Sequence, residues 1–307
     1  MSFWDTEPSK PQFVFEDEKK KLVDNMDYLM QMSVEEQTLY KKWVELQEDS
    51  MLRDKSTIAS YYDWQWRPTD INNKELTIKE IEELEPYVEI VEDKNEATKW
   101  THLRRMIHTM SWTANPGRNV KVFVKDRKSG KLLGMISLAS DVTSMGVRDK
   151  YIGWTKEDKF KKGKLNFTTI ASTIVCTQPL GYNFLGGKLT AMMTTAPIIR
   201  DYWKKKYGQT LIAVGTTSLY GIHSQYNGIP HFKTLGESAG KIAIKPDDEF
   251  YDPWHQWLKE NREDWYKEHI TEERKRNGEN MYGTDSQRQG PVSGIKQKIL
   301  GRIFKEC

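Results

Sequence analysis

The stretch TTSLYGIHSQYNG at 216–228 places three hydroxyls in a row, followed by Tyr220, His223, Ser224, Gln225 and Tyr226. An imidazole and a phenol close together are residue types that move protons, so His223 would serve as general base and Tyr226 as general acid. Ser218, ending the strand that leads into them, completes the candidate catalytic set of Ser218, His223 and Tyr226. The same residues also have a structural use. Ser218 would cap the following helical turn and Tyr226 would pack its ring in the core.

A second group lies in RDKYIGW at 148–154. Arg148 could meet a phosphate and Trp154 could stack on an extruded base, with Asn166 and Gln178 reading that base's edge, since a base inside a duplex cannot reach a buried site. The neighbouring charges of Arg148 and Asp149 equally suit an ion pair that fixes a loop, and Trp154 equally suits core filling. A third group is Arg104, Arg105 and His108, which lie off the helical face formed by Trp100, Leu103, Ile107 and Met110. His102 and His108 do not have the i, i+4 spacing of a helical metal pair, and Cys-x-x-Cys does not occur. Zinc is therefore not expected, whereas a His and carboxylate iron site assembled across the fold stays open.

Charge separates the chain into three parts. Residues 1–98 carry 12 Lys and Arg against 24 Asp and Glu, residues 99–245 carry 24 against 7, and residues 246–307 carry 11 against 13. The overall +3 thus conceals a middle segment at +17. Such a surface attracts a polyanion, because Lys and Arg gain free energy by releasing phosphate counterions. Alternatively, the acidic arm packs against the basic body. At 307 residues the chain can bury one sizeable core or two modest ones, which excludes a peptide hormone or a disulfide-stapled miniprotein. Two cysteines cannot build a disulfide framework and suit a reducing compartment. No apolar run approaches a membrane span and MSFWDTEPSK lacks the pattern of a secretory signal, so a cytosolic protein is expected.

These groups need elements to hold them. Leu22, Met26, Leu29 and Met30 recur at helical spacing, as do Leu39, Tyr40, Trp43 and Val44, which predicts a helical hairpin joined near Ser33. The aromatic YYDWQWRP at 61–68 ends at Pro68 and suits a docking strap, and Thr77 with Glu80 forms a capping-box pattern before a short helix stopped by Pro86. VKVFVK at 120–125 and LLGMISLAS at 132–140 predict an antiparallel hairpin, followed by a long loop over 141–165. A buried strand at 167–179 then leads through GYNFLGG to a helix, and Pro197 opens another that ends near Gly208. Further strands are expected at 210–218, in HFKTLGES and in GKIAIK. An aromatic helix, WHQWLKENREDWYKE, and a basic amphipathic tail, GIKQKILGRIF, close the chain. That tail would dock on the protein itself or a partner, or lie on a membrane or a nucleic acid. The prediction is an α+β fold with a mixed, mostly antiparallel twisted sheet of about six strands.

This order, with a glycine-bearing turn between a central strand and a helix, resembles the GNAT acyltransferases. The resemblance implies an acyl-CoA whose pyrophosphate is held by backbone N–H groups over Val175 to Lys188. The family pattern, Arg or Gln, two residues, Gly, one residue, Gly or Ala, falls on Asn183, Gly186 and Lys188 and departs at the first and last. Gly186 and Gly187 still permit close backbone approach, and Lys188 could meet a phosphate. The blocks RDKYIGW, LGGKLTAMM (185–193), TTSLYGIHSQYNG and TLGESAGK (234–241) resemble the family of DruA from the Druantia phage-defence system and its phage-encoded relatives, which is distantly similar to the Mom enzymes that modify adenine in phage DNA. The resemblance implies a GNAT-like core over 97–246, between an acidic helical extension (1–96) and a C-terminal helix with basic tail (247–307). It also implies a nucleic-acid partner, DNA first. Base modification that shields viral DNA from restriction is one outcome, and a non-catalytic binding or assembly protein on the same fold is the other. It sets neither a metal nor an oligomeric state.

Overall fold

The computed structural model describes residues 13–112, 115, 117–177, 180, 184, 186–218, 225–236, 246–271 and 292–306. They form two compact units, one of residues 13–37, 246–271 and 292–306 and the other of residues 38–236.

The larger unit is built on a five-stranded sheet whose order follows the chain: β1 (Pro86–Ile90), β2 (Asn119–Asp126), β3 (Leu132–Ser140), β4 (Thr168–Cys176) and β5 (Ala213–Gly215). β1 to β4 pair antiparallel, and β4 with β5 pairs parallel. The alternation in β2 sends Val120, Val122 and Val124 to one face and Phe123 to the other. β3 is buried along all but its last residue because helices cover both faces. On one, α5 (Lys94–Ile107) lays Trp100, Leu103 and Ile107 against Phe123 and Met135. On the other, α8 (Gly187–Met193) and α9 (Pro197–Tyr207) bring Ala191, Ile199 and Trp203 to Val122 and Ile136. Gly134 in β3 lets α8 come close, since a Cβ there would lie 2.9 Å from the Val175 carbonyl and closer still to the Thr190 hydroxyl.

The remaining helices of this unit are α2 (Val34–Glu48, whose first residues fall in the smaller unit), α3 (Lys55–Trp64), α4 (Lys74–Glu82), α6 (Gly146–Ile152) and α7 (Lys156–Phe160). The aromatic strap docks on the protein's own sheet: Gln65 forms a parallel bridge with Leu132, and Trp66 N donates to Leu132 O at 2.8 Å. Trp64 stands edge-on to Phe123.

The smaller unit joins α1 (Phe15–Gln31) to α10 (Asp248–Asn261), α11 (Glu263–Tyr266) and α12 (Val292–Glu306). Leu22, Tyr251, Trp254, Leu258, Ile270, Ile299 and Ile303 form its core, with Phe13, Phe15 and Trp257 against it. Trp254 Nε1 donates to Glu18 O at 3.1 Å, and Asn25 exchanges hydrogen bonds with Asp247. The two ends of the chain thus build one helical body.

Several expectations change. α1 and α2 break at Ser33, where Ser33 and Glu36 cap each other reciprocally, and the division between the units falls inside α2, after Gln37. Asn73, not Thr77, caps α4. Its side chain accepts from Leu76 N, while the buried Thr77 hydroxyl donates to Asp70 O and Glu80 receives Thr69. Pro86 begins β1, a strand the periodicity did not reveal. β5 is three residues long instead of nine, and residues 231–236 hold no strand, so the sheet has five strands among the described residues. The expected GKIAIK strand lies outside them.

Trp100 is fully buried and its Nε1 donates to Val122 O at 3.1 Å. Trp100→Ala should lower stability by about 3–5 kcal/mol, measured by urea unfolding.

Candidate functional site

The long loop over 141–165 is held by a buried charge cluster. Arg148, on α6, pairs with Asp141 at 2.8 Å and with Asp149 at 2.7 Å, and also donates to Val142 O. Asp149 further binds Lys159 of α7, and the Thr168 hydroxyl donates to Asp141. Burial works to raise the Asp149 carboxyl, but hydrogen bonds from Lys159 and Arg148 outweigh it and hold the group below its ordinary range. Arg148 is therefore committed inside the protein, and its guanidinium lies 5.6 Å from the half-buried Trp154 ring. The helices that follow carry their side chains outward: Tyr151 is 59% and Phe160 46% exposed, beside exposed Lys150, Lys156 and Lys161. Lys233 Nζ sits 4.4 Å over the Tyr151 ring.

A second cluster lies where β4 and β5 part. The strands pair only over Thr168–Ile170 and Ala213–Gly215, whereas β4 continues beside β3 to Cys176. Beyond that point side chains reach the β4 carbonyls: Thr216 Oγ1 donates to Ala171 O at 3.3 Å and Gln225 Nε2 to Ile174 O at 3.3 Å. The half-buried Tyr226 hydroxyl lies 3.4 Å from Thr216 Oγ1 and 3.2 Å from Gln225 Nε2, with its ring stacked on Phe232. Ser218 is exposed just past Thr216. Of the proposed donor cradle, half-buried Val175 stands near the end of β4, and Lys188 is exposed. A Cβ on Gly187 would strike the Gln225 amide and one on Gly186 would strike Leu180, so the chain's own side chains fill that space. Thr177, directly after β4, has a buried hydroxyl without a partner. Gln178, Asn183 and His223 lie outside the described residues.

The third group is structural glue. Arg105 pairs with Glu45 and Asp49, and Lys42 pairs with Glu45, which ties α5 to α2. Arg104 is buried and donates to Met110 O, and burial lowers its pKa to about 10 against the raising field of Glu45. His108 Nδ1 accepts from Met110 N at 3.0 Å. Burial, then the charges of Arg104 and Lys42, lower its pKa to about 3. Here acidic helix and basic body do pack together.

Sequence reasoning passed over Arg118, which is buried ahead of β2 and donates to the main-chain carbonyl of Asn166 at 3.2 Å. Asn166 lies in the 3-10 turn Lys164–Phe167 that leads into β4. The sequence signal was an arginine beside an apolar strand with no acidic residue nearer than Asp126. Among the described residues no group of three His, Cys, Asp or Glu side chains could hold a metal.

With this geometry established, comparison with known proteins places the chain. The family model described as Druantia protein DruA matches residues 39–263. The chain belongs to the DruA family. The match reaches beyond the blocks at 148–241 on both sides, taking in the strap, β1, α5 and α10. Among curated relatives, the Druantia protein DruA of Escherichia coli (strain UMEA 4076-1) is 30% identical over 141 residues, 40% of this chain and 34% of that protein. The alignment thus spans about a third of that DruA's length. No solved structure matches. In this DruA-family chain no helix among the described residues is long and apolar enough to cross a membrane.

His108 supplies a pH signature. Its folded pKa lies below the unfolded value, so the unfolded state takes up the proton first and stability falls as pH drops from about 6.5 toward 3. His108→Gln should flatten the stability profile between pH 6.5 and 5 by roughly 1 kcal/mol, read from urea midpoints at successive pH values.

Proposed function

We propose that this DruA-family chain is a nucleic-acid-binding protein acting in the conflict between phages and bacteria. The observation that carries this is the surface of α6 and α7. Asp141 and Asp149 are consumed by the buried Arg148 and by Lys159, and Asp158 takes the exposed Lys162 and Lys164. Glu157 is the remaining carboxylate of residues 141–167, beside exposed Lys150, Lys156 and Lys161. The exposed rings of Tyr151 and Phe160 stand among these cations. Aromatic faces that stack bases, set among lysines that track phosphates, suit an unpaired strand, because a duplex hides its base faces. The clamped Arg148 cluster holds this surface in place before binding, which limits the entropy lost on association.

A second reading is favoured by the parting of β4 and β5. In a GNAT-like core the opening between these strands is where an acyl-CoA and a flipped nucleobase would meet, and the outcome would be a modified DNA base that resists restriction. Tyr226 and Ser218 border the opening and would carry proton transfer with His223. Acyl-CoA supplies the thioester in such chemistry. Gln225 and Leu180 pack against the Cα atoms of Gly187 and Gly186, and the α6–α7 surface is the stronger observation, so binding is the leading function.

Two measurements separate these. Anisotropy titration of a labelled single-stranded oligonucleotide should give salt-dependent binding tighter than that of the matching duplex, and the double variant Tyr151→Ala, Phe160→Ala should lose at least about tenfold of it. Equal binding by that variant removes the α6–α7 surface from the function. For the enzyme reading, acyl-CoA should raise the melting point, as a ligand of the native state alone must, and digested DNA should contain a mass-shifted nucleoside. Neither effect with any donor eliminates transfer chemistry.

A further inference from the structure

Burying a cation is costly unless an anion lies beside it, so each buried arginine can be asked what neutralises it. Arg148 has Asp141 and Asp149. Arg104 lies in the field of Glu45. Arg118 is 6% exposed, and no carboxylate of the described residues comes within ion-pair distance of it. One N–H is spent on the Asn166 carbonyl, and its other side-chain nitrogens are not among the sealed, unpartnered atoms of the core, so they open to solvent. The Tyr207 ring lies 5.5 Å from the guanidinium, and Lys206 Nζ lies 5.4 Å from the same ring. Arg118 and Lys206 thus both lie against the Tyr207 ring. Tyr207 is fixed in turn, its hydroxyl accepting from Asn119 N and donating to Asn119 O, both at 2.9 Å. Desolvation draws the Arg118 pKa down, the mark of a charge held without compensation.

We propose that Arg118 is the centre of a phosphate-binding site, the edge of its guanidinium that Asn166 leaves unused receiving a phosphate group. A planar fork matches phosphate oxygens in pairs, which an ammonium cannot do. Naming the source as a nucleic-acid backbone rests on the binding function proposed above; a small phosphorylated ligand presents the same chemistry.

The test uses the full chain with Arg118→Met and Arg118→Lys, inorganic phosphate and a labelled single-stranded oligonucleotide. A structural arginine loses stability when replaced; an uncompensated one does not. In phosphate-free buffer Arg118→Met should therefore melt at or above the parent, and phosphate should raise the melting point of the parent but not of this variant. Oligonucleotide affinity should fall roughly tenfold and the slope of log affinity against log salt should shrink by about 0.7, one phosphate contact on a single strand. Arg118→Lys, which keeps the charge and loses the fork, should fold normally and show weakened phosphate protection. Loss of phosphate protection with unchanged oligonucleotide binding supports the site and assigns it to a small ligand. A destabilised Arg118→Met together with an unchanged salt slope and an Arg118→Lys variant that phosphate protects as well as the parent overturns it, and leaves the α6–α7 binding surface standing.

Discussion

A charge taken out of water must be neutralised where it lies, and that constraint organises the larger unit of this protein. The segment between residues 99 and 245 has 24 basic side chains and 7 acidic ones, so its few carboxylates are spent where they matter most. Asp141 and Asp149 go to Arg148, and Asp158 to the turn around Lys162 and Lys164. Glu45 and Asp49 come from the acidic N-terminal part to meet Lys42 and Arg105. What remains unpaired is then a residue of this distribution and not an accident of composition. It is either exposed, as on α6, α7 and the end of α9, or buried without an anion, as at Arg118.

The sheet was legible where one physical signal dominated. The alternation of β2 and the unbroken apolar run of β3 report burial on one or both faces directly, and Pro197 with Gly208 brackets α9 by backbone geometry alone. The elements that escaped detection are those stabilised by other means. β1 is five residues long, opens on a proline and gains its place from pairing with β2. α6 and α7 are seven and five residues long, below the length at which periodicity can be read, and are fixed by the Arg148 cluster and the reciprocal Thr155–Asp158 cap. The Thr155–Asp158 cap is a local pattern, but the Asp141–Arg148 and Asp149–Lys159 pairs are set by the fold.

The candidate site divides along the same line. That Arg148 and Asp149 would pair followed from adjacency, but the share taken by Asp141, seven residues upstream, required the fold. The cluster of Thr216, Gln225 and Tyr226 was visible as a concentration of polar side chains; that they would reach across to the β4 carbonyls depended on β5 being only three residues long. Arg118 was the least legible, because its distinguishing property is the absence of a carboxylate in three dimensions.

The parted strands and the buried arginine make opposite demands on the chain. At the β4 edge the Ala171 and Ile174 carbonyls are satisfied by Thr216 and Gln225, so a ligand entering there must replace those bonds before it gains anything. At Arg118 the requirement is unmet, and an anion that arrives removes a penalty the folded protein otherwise carries. Binding energy is therefore more accessible at the second place than at the first. A phosphate at the site proposed for Arg118 would displace no native hydrogen bond, whereas a ligand reaching the β4 edge must first move Gln225 from the Ile174 carbonyl.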